Sequence, residues 1–166
     1  MKKTLLFTLL VIVGLFLYSN FSDRLLPFMR QVTNQSKQSG YSTLRIKDHE
    51  FRIEIADSAA EQAQGLSGRT LLDKDAGMLF LMSSRDQHVF WMKDMQFPLD
   101  IIWIDGDTIA DISADVPVPL TETYIPRIQP KSPVDRVLEI NAGEAKRRGI
   151  NSGDKVEYSL VEEETL

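Results

Sequence analysis

The stretch that decides the fold reads His88-Val-Phe-Trp-Met-Lys-Asp-Met95, and it continues through Gln96-Phe-Pro-Leu-Asp100 into Ile101-Ile-Trp-Ile104. Its last four residues are all apolar, which is typical of a central strand buried on both faces of a sheet. The first part alternates, so Trp91 and Lys93 are expected on one face, with the lysine stem along the indole. This arrangement predicts a ligand platform; the alternative is a core tryptophan beside a lysine that reaches solvent.

Two carboxyl groups lie in apolar surroundings. Asp100 opens the apolar run, and Glu139 lies inside Val137-Leu-Glu-Ile140, so both are expected to be desolvated and to need cations or hydrogen-bond donors. Arg69 and Lys93 are the candidate cations for a polar cluster that is either a binding site or a structural network. The candidate ligand-binding residues are Arg69, Trp91, Lys93, Asp94, Asp100 and Glu139.

The rest of the chain predicts many short strands and one or two short helices. Asp105-Gly-Asp107 between two apolar runs indicates a hairpin, and Asp57 or Ser58 followed by Gly65 brackets a short helix. Five prolines between Pro117 and Pro133 are expected to forbid regular pairing there, leaving a lid or a rigid connector. We predict a mainly β (α+β) fold, with a small barrel-like or curled antiparallel or mixed sheet.

The N-terminus has the pattern of an export signal. Two lysines precede a charge-free apolar run of 15 residues, 4–18. As a helix this run would reach roughly 22 Å, short of the roughly 30 Å hydrocarbon core, but no small-x-small cleavage motif follows it. Residues 1–22 are therefore expected to be an uncleaved membrane anchor or a signal that is removed.

The remaining organisation follows from this segment. Residues 23–40 are expected to be a linker, 41–161 a single β-rich domain and 162–166 an acidic tail. Because the lysines would stay in the cytoplasm, the domain is expected at the cell membrane on the extracytoplasmic side, periplasmic or extracellular, or secreted after cleavage.

Composition excludes several kinds of chemistry. The chain has no cysteine, so disulfides, thiolate metal sites and a cysteine nucleophile are impossible. The net charge is −5, and without Lys2 and Lys3 it is −7, which argues against nucleic acid as a partner. His49 and His88 are the only histidines and lack metal-ligand spacing, so no metal or other cofactor is expected.

Several short motifs occur in order along the chain. They are Gly65-Leu66, Arg69, Gly77-Met-Leu-Phe80, Phe90-Trp-Met-Lys-Asp-Met95, Pro98-Leu-Asp-Ile-Ile102 and Val137-Leu-Glu-Ile-Asn-Ala-Gly143. This series, over roughly residues 45–158, resembles the signature of domain of unknown function one hundred and ninety-two. The resemblance implies a small, single-domain, mainly β protein of bacteria and archaea, often exported and without an accepted activity. That family commonly has asparagine at the position of Asp94.

The function that these features favour is an exported, membrane-anchored module that binds a polar component of the cell envelope, such as a saccharide or a peptide, at Trp91 and Lys93. One alternative is an acid–base hydrolase or lyase that uses Asp100 and Glu139, with Lys93 or Arg69 as electrostatic stabiliser. Another is an accessory protein that docks to an envelope complex through its proline-rich loop. Whether the chain is an enzyme stays open at this point.

Overall fold

The computed structural model describes residues 42–121, 125 and 127–159. Strands make up most of this part of the chain, which confirms the predicted mainly β fold. In chain order the elements are β1 (Ser42–Ile46), β2 (His49–Ala56), α1 (Ala59–Gln64), β3 (Ala76–Asp86), β4 (Phe90–Trp91), β5 (Leu99–Asp105), β6 (Thr108–Val116), β7 (Arg127–Ile128), β8 (Val134–Asn141), α2 (Glu144–Arg147) and β9 (Val156–Ser159).

Seven strands form one curled sheet in the order β6-β5-β8-β3-β2-β1-β9. Only β2 and β3 are parallel among these neighbours, because α1 and the loop after it carry the chain back to the start of the next strand. The two edges approach each other, with a bridge between Thr108 and Lys155 and a 2.8 Å hydrogen bond from the Val156 N–H to the Asp107 carbonyl. The sheet is therefore a half-barrel of mixed strands, as predicted.

The sheet buries apolar side chains on both faces. The inner face, inside the curl, holds one cluster that includes Leu44, Ile46, Phe51, Ile53, Leu79, Ile102, Ile104, Leu138 and Ile140. The outer face holds a second cluster that includes Ala56, Met78, Phe80, Ile101, Trp103 and Val137, covered by Leu66, Met92 and Met95. Strand β5 lies between β6 and β8, and its first six residues are buried, so the predicted central strand is confirmed.

Local sequence signals explain the ends of several elements. Gly106, with φ 63°, turns the chain between β5 and β6, as the predicted hairpin requires. Ser58 begins α1 through a reciprocal capping box with Glu61. Gly65 ends the same helix with φ 49°, a conformation that favours glycine.

Two expectations about strands are wrong. The alternation from His88 onward predicts a strand over His88–Met92, but only Phe90–Trp91 is one. The prolines between Pro117 and Pro133 do not prevent all pairing, because Arg127–Ile128 forms β7 and pairs with β4 in a separate two-stranded sheet. Both residues of β7 keep their backbone N–H groups, so a two-residue ladder fits between the prolines.

The predicted signal or anchor at 1–22, the linker at 23–40 and the acidic tail at 162–166 lie outside the described residues, as do 122–124 and 126 of the proline-rich segment. Within the part of the chain that the structure describes, no helix has the length and apolar character needed to span a membrane.

Candidate functional site

The predicted polar cluster is divided among separate places in the fold. Arg69 lies over β2, where its guanidinium makes a bidentate pair with Glu54 at 2.5 and 2.7 Å. This hydrogen bond lowers the pKa of the Glu54 carboxyl below its ordinary value. Arg69 therefore neutralises Glu54 rather than Asp100 or Glu139.

Asp100 is fully buried and is satisfied by backbone donors, not by cations. Its carboxylate accepts hydrogen bonds from the N–H groups of Asp115 at 2.8 Å, Gly143 at 3.1 Å and Ala145 at 2.8 Å. Two of these donors belong to the start of α2, so Asp100 caps that helix from the neighbouring strand. The expectation that Lys93 or Arg69 compensates Asp100 is wrong, because three orphan amide groups already do so.

Asp100 and Glu139 also face opposite ways. Asp100 pairs with Ile140 across β5 and β8, so its side chain lies on the inner face with Ile140. Glu139 pairs with Ile101 and with Met78, and its side chain lies on the outer face. The predicted acid–base pair of these two carboxyl groups is therefore wrong, since the sheet itself separates them.

Lys93 and Asp94 form an exposed turn after β4. Asp94 has φ 57°, a left-handed conformation that Asp and Asn tolerate better than other side chains, and its carbonyl accepts the Gly68 N–H at 3.0 Å. The Lys93 side chain is exposed, and among the described residues it has no ion pair and no cation–π contact with Trp91. The predicted Trp91/Lys93 platform is not formed, because the strand ends at Trp91.

Glu139 is the buried carboxyl group that has no partner in the described part of the chain. It is 5% exposed, and within residues 42–121, 125 and 127–159 no cation or hydrogen-bond donor reaches it. Burial raises the pKa of Glu139 from 4.5 to about 8, since nothing offsets the desolvation of its charged form. Every fully buried side-chain N or O atom of the described residues has a hydrogen-bond partner. The Glu139 carboxyl oxygens have none among these residues, so they must keep some contact with solvent.

The free space beside Glu139 is a cavity of about 260 Å³. Its walls come from the end of α1 and the turn after it (62–67), from β3 and from residues 88–91, closed by Met95 and Glu139. Gly65 brings the helix end close to the carboxyl group, since a Cβ there would lie 4.0 Å from Glu139 Oε2 and 3.3 Å from the Phe80 ring. The cavity is somewhat smaller than pockets that hold drug-sized ligands, so it suits a single side chain or a single ring.

Aromatic and thioether groups surround this carboxyl. Phe90 packs edge-on against Phe80 at 4.9 Å between ring centroids and against Trp103 at 5.4 Å, which fixes β4 over the outer face. Trp91, next to Phe90, is 47% exposed and stands at the edge of the cavity. Met82 and Met95 complete the apolar lining.

His88 is the other titratable side chain of the cavity wall, and its Nε2 lies 2.8 Å from the Ser84 carbonyl oxygen. Sequence reasoning did not place His88 or residues 62–67 at the site. The Gly65-Leu66 motif could have indicated the wall formed by residues 62–67, because a helix that ends at glycine can bring its backbone close to a neighbouring group.

A second hollow of about 210 Å³ lies where Arg69 meets Glu54, with Arg52, Leu71 and Asp73 around it. Its charged groups are already paired, Arg69 with Glu54 and Arg52 with Asp73. No group of three or more metal-ligating side chains occurs among the residues that the structure describes. The Glu139 cavity has the larger volume of the two and a carboxyl group that no described residue pairs with, so it is the stronger candidate.

The fold and the site define a small half-barrel domain that has a carboxyl-bearing cavity on its outer face. The chain belongs to the DUF192 family, described as Uncharacterized ACR, whose profile matches residues 42–158. None of the curated proteins matches the chain.

Two solved structures are similar to this domain. A protein of unknown function from Novosphingobium aromaticivorans is 42% identical, with a TM-score of 0.62, and the match covers 70% of this chain and 83% of that chain. A putative transcription regulator from Sinorhizobium meliloti is 34% identical, with a TM-score of 0.63, and the match covers 70% of this chain and 91% of that chain.

Proposed function

We propose that this chain is an exported, membrane-anchored module that binds a polar component of the cell envelope. The single observation that carries the proposal is the buried Glu139, which has no partner among the residues that the structure describes and lies at the wall of a cavity bordered by Trp91. A buried polar group without a partner is costly for the folded protein, and a ligand that supplies the partner removes this cost. The N-terminal lysines and apolar run support the extracytoplasmic location.

The proposed site differs from the platform that the sequence indicated. Trp91 remains part of it, but Glu139 replaces Lys93 as the polar group, and Gly65 and Phe80 supply the opposite wall. An exposed aromatic side chain beside a carboxyl group offers a ligand an apolar surface together with a polar group that fixes its orientation, as a sugar ring or a peptide side chain would need. The size of the cavity favours recognition of one such group at the end of a larger molecule.

The test titrates the full chain, in detergent, with envelope saccharides and short peptides. Binding is followed by thermal shift and by the NMR signals of residues 41–161. Trp91→Ala is expected to weaken binding about fivefold to thirtyfold while the domain stays folded, because an aromatic contact at such an edge contributes on the order of 1–2 kcal/mol. Leu71→Ala is the matched control, since Leu71 is 66% exposed and borders the second hollow. Equal loss in both variants, or no binding by the unaltered protein, would refute the proposal.

The enzyme alternative keeps one supporting observation. A carboxyl group with a pKa of about 8 is protonated near neutral pH and can donate a proton to a bound leaving group. Asp100 is not available as the general base beside Glu139, so that role would fall to His88 or to a water molecule bound with the ligand. Turnover that is lost in Glu139→Gln but kept in His88→Asn would assign the reaction to Glu139 alone.

A further inference from the structure

We propose that the Glu139 cavity recognises a primary ammonium group on an aliphatic stem, of the kind carried by a lysine side chain. This inference rests on the proposed function and names its ligand class. Glu139 is the only acidic side chain that lines the cavity in the described part of the chain, and the ligand ammonium would be its counter-ion.

The first step of the argument is the missing cation. Glu54 lies in the same row across the sheet, Glu54–Met78–Glu139, and it has Arg69 as a bidentate partner. Glu139, roughly 10 Å further along that row, has none among residues 42–121, 125 and 127–159. The same face of one sheet therefore holds two carboxyl groups, one neutralised within the protein and one open to a cation from outside.

The second step is the chemistry of the walls. Phe80, Phe90 and Trp91 present aromatic rings, and Met82 and Met95 present polarisable thioether groups. Aromatic faces stabilise cations, and an apolar wall accommodates the methylene groups of an aliphatic stem. A hydroxyl-rich ligand would find only one strong polar partner here, whereas an ammonium with a methylene chain uses both the carboxylate and the apolar lining.

The third step is the set of other charges near Glu139. His88 is on the cavity wall with one ring nitrogen against the Ser84 carbonyl, and the Glu54–Arg69 pair lies beyond Met78. Lys93 and Asp94 are exposed in the turn after β4 and do not line the cavity. No other acidic side chain of the described residues lines the cavity, so an entering cation can pair only with ionised Glu139.

The pH dependence follows from this requirement. Desolvation keeps Glu139 protonated below about pH 8, so ammonium binding must release a proton. The affinity is expected to rise roughly tenfold per pH unit below pH 8 and to level off above it, since an alkylammonium stays charged to about pH 10. A neutral ligand would release no proton.

The experiment measures binding of Nα-acetyl-lysine amide and of its uncharged analogue Nα-acetyl-norleucine amide by NMR titration and calorimetry, between pH 6 and 9, with the full chain. The lysine derivative is expected to bind at least about tenfold more tightly at pH 8 and to release close to one proton at pH 7. Glucosamine against N-acetylglucosamine tests the other source of a primary ammonium. Tighter binding of glucosamine than of N-acetylglucosamine at pH 7, lost in Glu139→Gln, supports recognition of the ammonium group by the same carboxylate.

Glu139→Gln is expected to remove both the preference for the lysine derivative and the pH dependence, while binding of the norleucine derivative changes little. Glu54→Gln is the matched control and should leave the affinity within about twofold, because its carboxylate is paired inside the protein. If Glu139→Gln does not fold, the proton count and pH profile of the unaltered protein decide the question.

Two results would overturn the inference, and they differ in what they leave of the proposed function. Equal, pH-independent binding of the lysine and norleucine derivatives, abolished by Trp91→Ala, would leave a binding module without cation recognition. Absence of binding for every saccharide, peptide and amine would reject both proposals together.

Discussion

Two buried carboxyl groups of the sheet have different surroundings, and this difference separates a structural residue from a candidate binding residue. Asp100 is enclosed by three backbone N–H groups, two of them at the start of α2. Glu139 has no such donors in the described part of the chain and meets the cavity instead. The residue that joins β5, β6 and α2 is therefore Asp100, and the residue available to a ligand is Glu139.

We expect Asp100→Asn to lower the free energy of unfolding by roughly 2–3 kcal/mol, because the amide offers one acceptor oxygen and turns an N–H₂ group toward backbone donors. Urea denaturation measures the change. Asp94→Asn is the control: Asp94 is exposed with φ 57°, which asparagine also tolerates, so its effect should stay within about 0.5 kcal/mol. Similar losses in both variants would contradict the structural role of Asp100.

At the scale of elements, α1 and β4 shape the cavity although neither belongs to the main sheet. The end of α1 delivers Gly65 to the carboxyl group, and β4 is held over the outer face by pairing with β7. On the floor, β3 passes close to β8 at Gly77, where a Cβ would lie 2.9 Å from the Glu139 carbonyl oxygen. The position of Glu139 thus depends on a close approach that glycine permits.

The capping box of α1 gives an element-scale prediction. Ser58→Ala should lower the free energy of unfolding by about 1 kcal/mol, since it leaves the Glu61 N–H without its side-chain acceptor. Ser83→Ala is the same substitution on the exposed part of β3, where no partner is lost among the described residues. Thermal denaturation of the two variants is the measurement, and a larger shift for Ser83→Ala would contradict this account of the helix start.

At the scale of the whole molecule, Glu139 makes stability depend on pH. Its folded-state pKa, about 8, lies above its ordinary value of 4.5, so the folded state binds the proton more tightly than the unfolded state. The contribution of protonated Glu139 is fully present below about pH 4.5 and is lost as pH rises through 8. The loss amounts to at most about 5 kcal/mol.

We therefore expect the free energy of unfolding to fall between about pH 5 and 8 in the unaltered protein, and to fall much less in Glu139→Gln. Urea denaturation at four pH values measures both slopes. Glu54 is expected to give the opposite pH dependence. Arg69 lowers the pKa of Glu54, so the stability that ionised Glu54 contributes is present above about pH 4.5 and is lost on acidification, and Glu54→Gln should remove this loss. Parallel slopes for the unaltered protein and Glu139→Gln would show that Glu139 is not desolvated.

Local sequence patterns predicted much of the fold. The all-apolar run 101–104 identified the central strand, Asp105-Gly-Asp107 identified the hairpin, and Ser58 with Gly65 bracketed α1. These features depend on neighbours in sequence, such as side-chain alternation and backbone dihedral preference, so they can be recognised in one dimension. The short β4–β7 pair was missed because both partners are only two residues long and far apart in the chain.

The sequence by itself determined that Asp100 and Glu139 are buried and that the fold is a curled sheet with few helices. Only the tertiary structure decided which partner each charge has. Pairing of Asp100 with Ile140 places neighbouring carboxyl groups on opposite faces, and a distant glutamate takes Arg69. Register between distant strands sets these contacts, and a shift by one residue would exchange the two faces.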